Sequence, residues 1–267
     1  MSSGGSAGSH DMAIVFRDVV KRFVRPERRD ESFLAVENLS FEVARGERVA
    51  VLGRTGCGKS TMFNLLAGLI EPTSGTVRAL GRDPFREFNW FRGRIAVVFQ
   101  GDRLMPWRTA LQNVELGIEL LGMDEKERRA VALGWLERLG LKGHENDFPH
   151  ALSGGMRQRV SIARAFAVGP EILLCDEPFS SLDELTGERL REEYLQLVKE
   201  NGATSVFVTH SISEALQVGE RILVFHRPAR IALEARIAGG DREDIRQRVL
   251  GAMTASGTRA EEEKDAA

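Results

Sequence analysis

The sequence predicts an α/β fold, a mostly parallel β-sheet with helices between its strands, an antiparallel β layer at its N-terminal end and a helical insertion. Three observations predict it. Short β-rich apolar runs at 48–52, 94–99, 171–175, 204–209 and 221–225 are bounded by breakers, as strands covered on both faces are. The run at 48–52 ends in a Gly-rich turn, and STMFNLLAGLI behind it carries apolar residues at helical spacing, which reads as strand, loop, helix. The stretch 104–167 reads as several helices with no strand among them.

The elements follow in order. MSSGGSAGSH is a flexible Gly/Ser tail, and the expected partition is a tail over 1–12, one domain over 13–240 with its helical part at about 104–167, and a polar C-terminal tail over 241–267. Apolar stretches at 13–24 and 33–51 alternate with turn residues and suit the antiparallel layer, with RPERRDES between them as a solvated loop. Asp124 with Glu127 three residues on is a capping box; that helix runs through Val131, Trp135 and Leu139, with Trp135 in the core, and stops at Gly140. Beyond Arg230 the chain turns polar and mixed in charge, ending in AEEEKDAA as a helix fraying into solvent.

Composition narrows the classes. With 42% hydrophobic and 28% charged residues, the 267-residue chain is neither collagen-like, low-complexity nor a disulfide scaffold. Lys+Arg of 37 against Asp+Glu of 39 leaves a net charge of −2, which gives no footprint for a nucleic-acid partner, and none is expected. Cys57 and Cys175 stand far apart and read as free thiols of a reducing compartment. Charge-free stretches such as 60–70 and 201–213 fall short of the roughly 18 apolar residues that span a bilayer, and the N-terminal residues have neither the basic start nor the apolar run of a targeting segment.

GRTGCGKS, from Gly53 to Ser60, fits the phosphate-loop pattern G-x-x-x-x-G-K-[ST] in its required setting, after a strand and opening a helix. Gly53, Gly56 and Gly58 let the backbone curl so that N–H groups converge on phosphate oxygens, and the helix N-terminus adds partial positive charge. Lys59 supplies a point charge for the β- and γ-phosphates, and Ser60 a hydroxyl for Mg²⁺, which prefers oxygen ligands. The expected ATP-binding set is Phe23 with Gly53, Arg54, Thr55, Gly56, Cys57, Gly58, Lys59, Ser60 and Thr61. Cys57, at a helix N-terminus, is expected to have a lowered thiol pKa and to be open to thiol reagents.

EILLCDEP puts two carboxylates at the carboxyl end of an apolar strand, where open α/β sheets bind ligands. Asp176 would hold Mg²⁺ directly or through water, while Glu177 is placed to orient and activate the attacking water. A phosphate loop and these acids alone fit kinases, GTPases or helicases. LSGGMRQR, with Ser153 as a helix N-cap before Gly154 and Gly155, adds a second anion-binding helix start.

At this point the sequence resembles the ATP-binding cassette (ABC) family over about 16–228, with the motifs in the family's order. The resemblance implies a P-loop NTPase of the ABC-ATPase fold, with a RecA-like sheet core, an antiparallel β subdomain and an inserted α-helical subdomain. It implies that Ser153, Gly154, Gly155 and Met156 close over ATP bound to the phosphate loop of a second copy or a paralogous subunit, sandwiching two ATP molecules head to tail. Gln100, ending IAVVFQ, matches the Q-loop glutamine that reaches Mg²⁺ and the attacking water. Ser181, Leu182 and Asp183 match the D-loop that crosses the dimer interface, and His210 the switch histidine that contacts the γ-phosphate. The implied catalytic set is Glu177, His210 and Gln100, and the implied Mg²⁺ set Ser60, Gln100 and Asp176.

Some positions depart from the family pattern. Phe23 stands where an adenine-stacking tyrosine is usual; its ring either stacks the base or is a plain core residue. Met156 replaces a common glutamine, and Arg54 and Thr55 a common Pro-Ser. LMPW after the Q-loop, with PFSSLDELT, resembles the nitrate, sulfonate and taurine group of bacterial importers; relatives importing pyrimidine precursors share much of the pattern. That resemblance implies a peripheral subunit on the cytoplasmic face of the inner membrane, docked on two transmembrane permease subunits and served indirectly by a solute-binding protein. The seat would be 100–107, with Met105, Pro106 and Trp107 lining it or Trp107 packing among helices. The competing classes are an ABC ATPase acting on nucleic acid or ribosomes, against which stand the single phosphate loop and the lack of long heptad runs, and a nucleotide sensor that scarcely hydrolyses, against which stand Glu177 and His210.

Overall fold

The computed structural model describes residues 12–25 and 28–265. Its central sheet has six strands in the order β5-β6-β7-β3-β8-β9: β3 (Arg48–Gly53), β5 (Ile95–Val98), β6 (Ile172–Asp176), β7 (Thr204–Thr209), β8 (Arg221–His226) and β9 (Arg230–Arg236). All neighbouring pairs are parallel except β8 with β9. The buried runs form these strands because each supplies apolar side chains to both faces. Ala50, Leu52, Leu173, Cys175 and Phe207 join one core, whereas Val49, Val51, Leu174, Val206 and Val208 join the other. A strand with period-2 geometry and two covered faces needs no polar positions.

The second core is closed by α1 (Lys59–Leu66) and by a three-stranded antiparallel sheet ordered β2-β1-β4: β1 (Met12–Arg25), β2 (Arg28–Ala44) and β4 (Ser74–Ala79). Two expectations change here. Pairing continues to Arg25 with Arg28, so most of the stretch read as a solvated loop extends a hairpin. The antiparallel run ends at Ala44, and β3 belongs to the parallel sheet. The Gly/Ser tail lies outside the described residues up to residue 11.

The first core is closed by α2 (Ala110–Leu120), α3 (Glu125–Arg138), α4 (Gly154–Ala167), α5 (Glu184–Asn201) and α6 (Ile212–Val218). Between 104 and 167 the described residues hold helices and turns and no strand. Asp124 caps α3 by accepting from Lys126 N at 2.7 Å, which displaces the expected capping box with Glu127. Trp135 is only partly buried, stacked on Phe166 at 5.5 Å between centroids, with the Arg138 guanidinium 5.2 Å from its ring centroid. The chain beyond Arg230 is more ordered than its charge suggested. β9 pairs with β8, and the helix expected at this end is α7 (Arg242–Asp265), whose first turns bury Ile245 and Val249 against the first core. His226 Nε2 lies 2.8 Å from the Ala252 carbonyl and fixes α7 to β8. No described helix is long and apolar enough to cross a membrane.

Candidate active site

The site gathers at the carboxyl ends of β3, β7 and β6. Register places Leu52 beside Thr209 and Asp176 beside Val208, so the phosphate loop, His210 and Glu177 emerge from neighbouring strands. The loop can curl only with glycine at its ends. A Cβ on Gly53 would lie 2.5 Å from Cys57 Sγ and 2.8 Å from the Phe225 carbonyl oxygen. Gly58 has φ of +102° and would place a Cβ 2.6 Å from the Ala35 carbonyl oxygen. No side-chain hydrogen bond caps α1 at Gly58, so its first turn keeps the N-terminal character that favours a phosphate.

Lys59 is buried, and its Nζ donates to the carbonyls of Gly53 at 2.5 Å and Arg54 at 3.2 Å, folding the ammonium back over the loop. Arg54, Thr55, Gly56 and Ser60 are exposed, and Thr61 is half-buried. Cys57 reverses the expectation. It is buried beneath the loop, and burial outweighs the pull of Lys59 and of the helix N-terminus, so its thiol pKa is raised.

Asp176 ends β6, and its pKa is raised, first by burial and then by the neighbouring Glu177, against a smaller opposing effect of Lys59. Glu177 adopts φ of +47°, rare for a residue with a side chain, while its N–H continues the ladder to Val208 O at 2.9 Å. The Glu177 carboxylate lies 3.0 Å from His210 Nδ1. His210 is held between β7 and α6: the Thr209 hydroxyl donates to Glu214 at 2.5 Å and accepts from Ser211 N–H at 3.0 Å, and Ser211 caps α6.

The exposed Ser153 caps α4, accepting from Met156 N–H at 3.3 Å. Met156 is packed against the core. A Cβ on Gly155 would lie 2.9 Å from Thr186 Cγ2, in the first turn of α5, which Asp183 caps by accepting from Thr186 N–H at 3.0 Å. Leu182 is partly buried and Ser181 exposed. Gln100, Gly154, Asp176 and Ser181 line one cleft of about 500 Å³. Phe23 is half-exposed, opposite Phe33 across the hairpin, with Lys21 Nζ 5.1 Å from its ring centroid; it is not a plain core residue.

Sequence reasoning missed the wall supplied by α7. Leu250, Met253 and Thr254 enclose a hollow of about 440 Å³ with Arg54 and His210. The four-residue spacing of Ile245, Val249 and Met253 was the available signal.

With this geometry in place, comparison with known proteins is decisive. The family model described as ABC transporter matches residues 36–180. The chain belongs to the ABC transporter family. The taurine import ATP-binding protein TauB of Yersinia pestis is 44% identical over 190 residues, covering 71% of this ABC chain and 73% of TauB. The glycine betaine transport ATP-binding protein OpuAA of Bacillus subtilis is 44% identical over 200 residues, 72% of this chain and 47% of OpuAA. A dimeric post-hydrolysis structure of the ATP-binding cassette MJ0796 bound to ADP and Pi superimposes with a TM-score of 0.74 at 36% identity, covering 85% of this chain and all of that one. The chain is thus an ABC ATPase of the importer group that binds and hydrolyses ATP.

Proposed function

We propose that this chain energises uptake of a small organic anion of the taurine or sulfonate type, through ATP-driven closing and opening of a dimer docked on two permease subunits. The observation that carries the catalytic part is the 3.0 Å contact of Glu177 with His210 at the strand ends beside the phosphate loop. In this reading Lys59 leaves the carbonyls of Gly53 and Arg54 for the β- and γ-phosphates. Glu177 orients the attacking water and accepts its proton, and His210 holds Glu177 and contacts the γ-phosphate. Phe23 stacks the adenine.

The residues fit Mg²⁺. A hydroxyl at Ser60, an amide oxygen at Gln100 and a carboxylate at Asp176 are hard oxygen donors, and one carboxylate with substrate phosphates and water is this ion's usual environment. When bound, the ion neutralises phosphate charge; Ser60, Gln100 and Asp176 would hold it. The raised pKa of Asp176 supports this fit, because a half-buried carboxylate beside a second one gains from a cation.

Ser153, Gly154 and Gly155 would close on the triphosphate of the second copy, with Ser181 and Asp183 at the crossing. Trp107, 71% exposed in the segment after Gln100, supports a permease seat there, since an indole left in water fits an interface better than a helical core. The subunit would then lie on the cytoplasmic face of the membrane, served indirectly by a solute-binding protein. The solute class rests on the resemblance to TauB.

The test is uptake of labelled taurine, an alkanesulfonate, nitrate and glycine betaine by cells whose own copy carries Lys59→Ala. Loss confined to the sulfonated solutes is the expected result. Unchanged uptake of all four would overturn the proposal.

A further inference from the structure

The backbone that carries His210 is held on both sides of the imidazole. Thr209 is buried at the end of β7, and its hydroxyl donates to Glu214 Oε2 at 2.5 Å while accepting from Ser211 N–H at 3.0 Å. An ionised carboxylate only accepts, so Glu214 fixes the hydroxyl proton and turns the lone pairs toward Ser211. The Glu214 N–H also donates to Ser211 Oγ at 3.3 Å. The second oxygen of Glu214 accepts from Arg191 Nη1 at 3.1 Å, and Arg191 Nε donates to Gln217 Oε1 at 2.7 Å. One planar, forked group on α5 thus grips two residues of α6 that are three positions apart. The pair is largely buried, with 13% of the Arg191 side chain and 11% of the Glu214 side chain exposed. Gly187, one turn earlier in α5, leaves room for it: a Cβ there would stand 3.2 Å from Arg191 Nη1.

His210 itself has 61% of its side chain exposed and meets Glu177 at 3.0 Å. An exposed ring has several rotamers open to it, so that meeting depends on where the backbone sets its Cβ. We propose that the Arg191–Glu214 pair is a positioning device for hydrolysis, acting from α5 on the switch turn. Arg191 neutralises and orients Glu214, Glu214 fixes the Thr209 hydroxyl, and Thr209 with Ser211 sets His210 against Glu177. The inference rests on the roles proposed above for His210 and Glu177. Stability alone does not call for such a pair, because desolvating two charges offsets most of their attraction and apolar side chains of the same size would pack the two helices as well. The orientation of the His210 turn does call for it, since apolar side chains offer the Thr209 hydroxyl no acceptor.

The experiment is steady-state hydrolysis and equilibrium ATP binding by the full chain carrying Arg191→Met, Arg191→Met with Glu214→Met, or Thr209→Val, each alone and with His210→Ala. Arg191→Met strands a buried carboxylate and should lower the thermal midpoint, whereas the double variant removes both charges and should melt close to wild type. Its kcat should nonetheless fall roughly ten- to a hundredfold, as for a displaced reacting group, with ATP affinity within about twofold of wild type. Thr209→Val keeps the ion pair and should show the same split between kcat and affinity. With His210→Ala in place, none of these changes should lower kcat further, because all act through the one imidazole. A stably folded double variant with wild-type kcat, a Thr209→Val protein with wild-type kcat, or losses that multiply with that of His210→Ala would each overturn the inference. His210→Ala turning over at the wild-type rate is a different failure: it removes the reading of the site, and the positioning role with it.

Discussion

His210 Nδ1 and Glu177 Oε2 are 3.0 Å apart, although their residues follow different strands and Glu177 must adopt a left-handed backbone to meet the imidazole. The relationship assigns each residue a separable contribution. Glu177→Gln should bind ATP as wild type does, lose roughly 10²–10⁴-fold in turnover and accumulate as an ATP-loaded dimer. His210→Ala should also slow turnover, because Glu177 loses the group that orients it. Single-turnover hydrolysis with light scattering checks both; wild-type turnover in Glu177→Gln removes it as the base.

Lys59→Ala should weaken ATP binding at least tenfold, since it deletes a buried ammonium already gathered over the loop by two carbonyls. Equilibrium binding of a fluorescent ATP analogue measures the loss.

Asp176 makes stability depend on pH in a direction set by its raised pKa. The folded chain binds this proton more tightly than the unfolded chain, so the contribution favours folding below the ordinary aspartate range and is lost as pH rises through the folded value. Near neutrality the ionised carboxylate is a cost. Asp176→Asn should raise the nucleotide-free melting temperature at pH 7.5, and that advantage should shrink toward pH 4. The same variant should lose stabilisation by Mg²⁺ with ATP. Melting curves across pH are the measurement, and a variant less stable than wild type at pH 7.5 would refute the expectation.

Both thiols should resist alkylation in the native protein. Cys57 has its pKa raised by burial, and burial pushes Cys175 up to about 12. N-ethylmaleimide followed by mass spectrometry should find neither modified at pH 7.5 and both modified in denaturant. Rapid native labelling of Cys57 is the contrary result.

Two glycines of the loop should differ under the same substitution. Gly58→Ala combines φ of +102° with a collision against the Ala35 carbonyl and Ala229 Cβ, whereas Gly56→Ala, at φ of +78°, meets nothing within 4 Å. The first should cost at least about 3 kcal/mol and the second about 1 kcal/mol, read from denaturant midpoints.

The strand runs and the phosphate loop were legible because their signals are local: apolar residues between breakers, and fixed spacings of Gly, Lys and Ser. Other features depend on what lies across the fold. The helix start at Cys57 suggested an acidic thiol, but the sequence does not display the core, shared with Phe63 and Phe225, in which that side chain is buried. Asp124 satisfied Lys126 N–H and left Glu127 outside the cap. In α7 the charged residues masked an apolar line of Ile245 and Val249 that has a partner only once β8 and β9 form. Arg191 and Glu214 are 23 positions apart, and neither belongs to a repeating pattern.

Strand β7, buried at all six of its residues, lies between β6 and β3. Its thickness therefore acts as a ruler. Two ladder spacings, about 9–10 Å, separate the exit of Glu177 from the exit of the phosphate loop, which is room for a terminal phosphate and one water. The gauge is cut into the hydrogen-bond lattice rather than into any loop, so surface residues around the site are free to vary while the slot keeps its width.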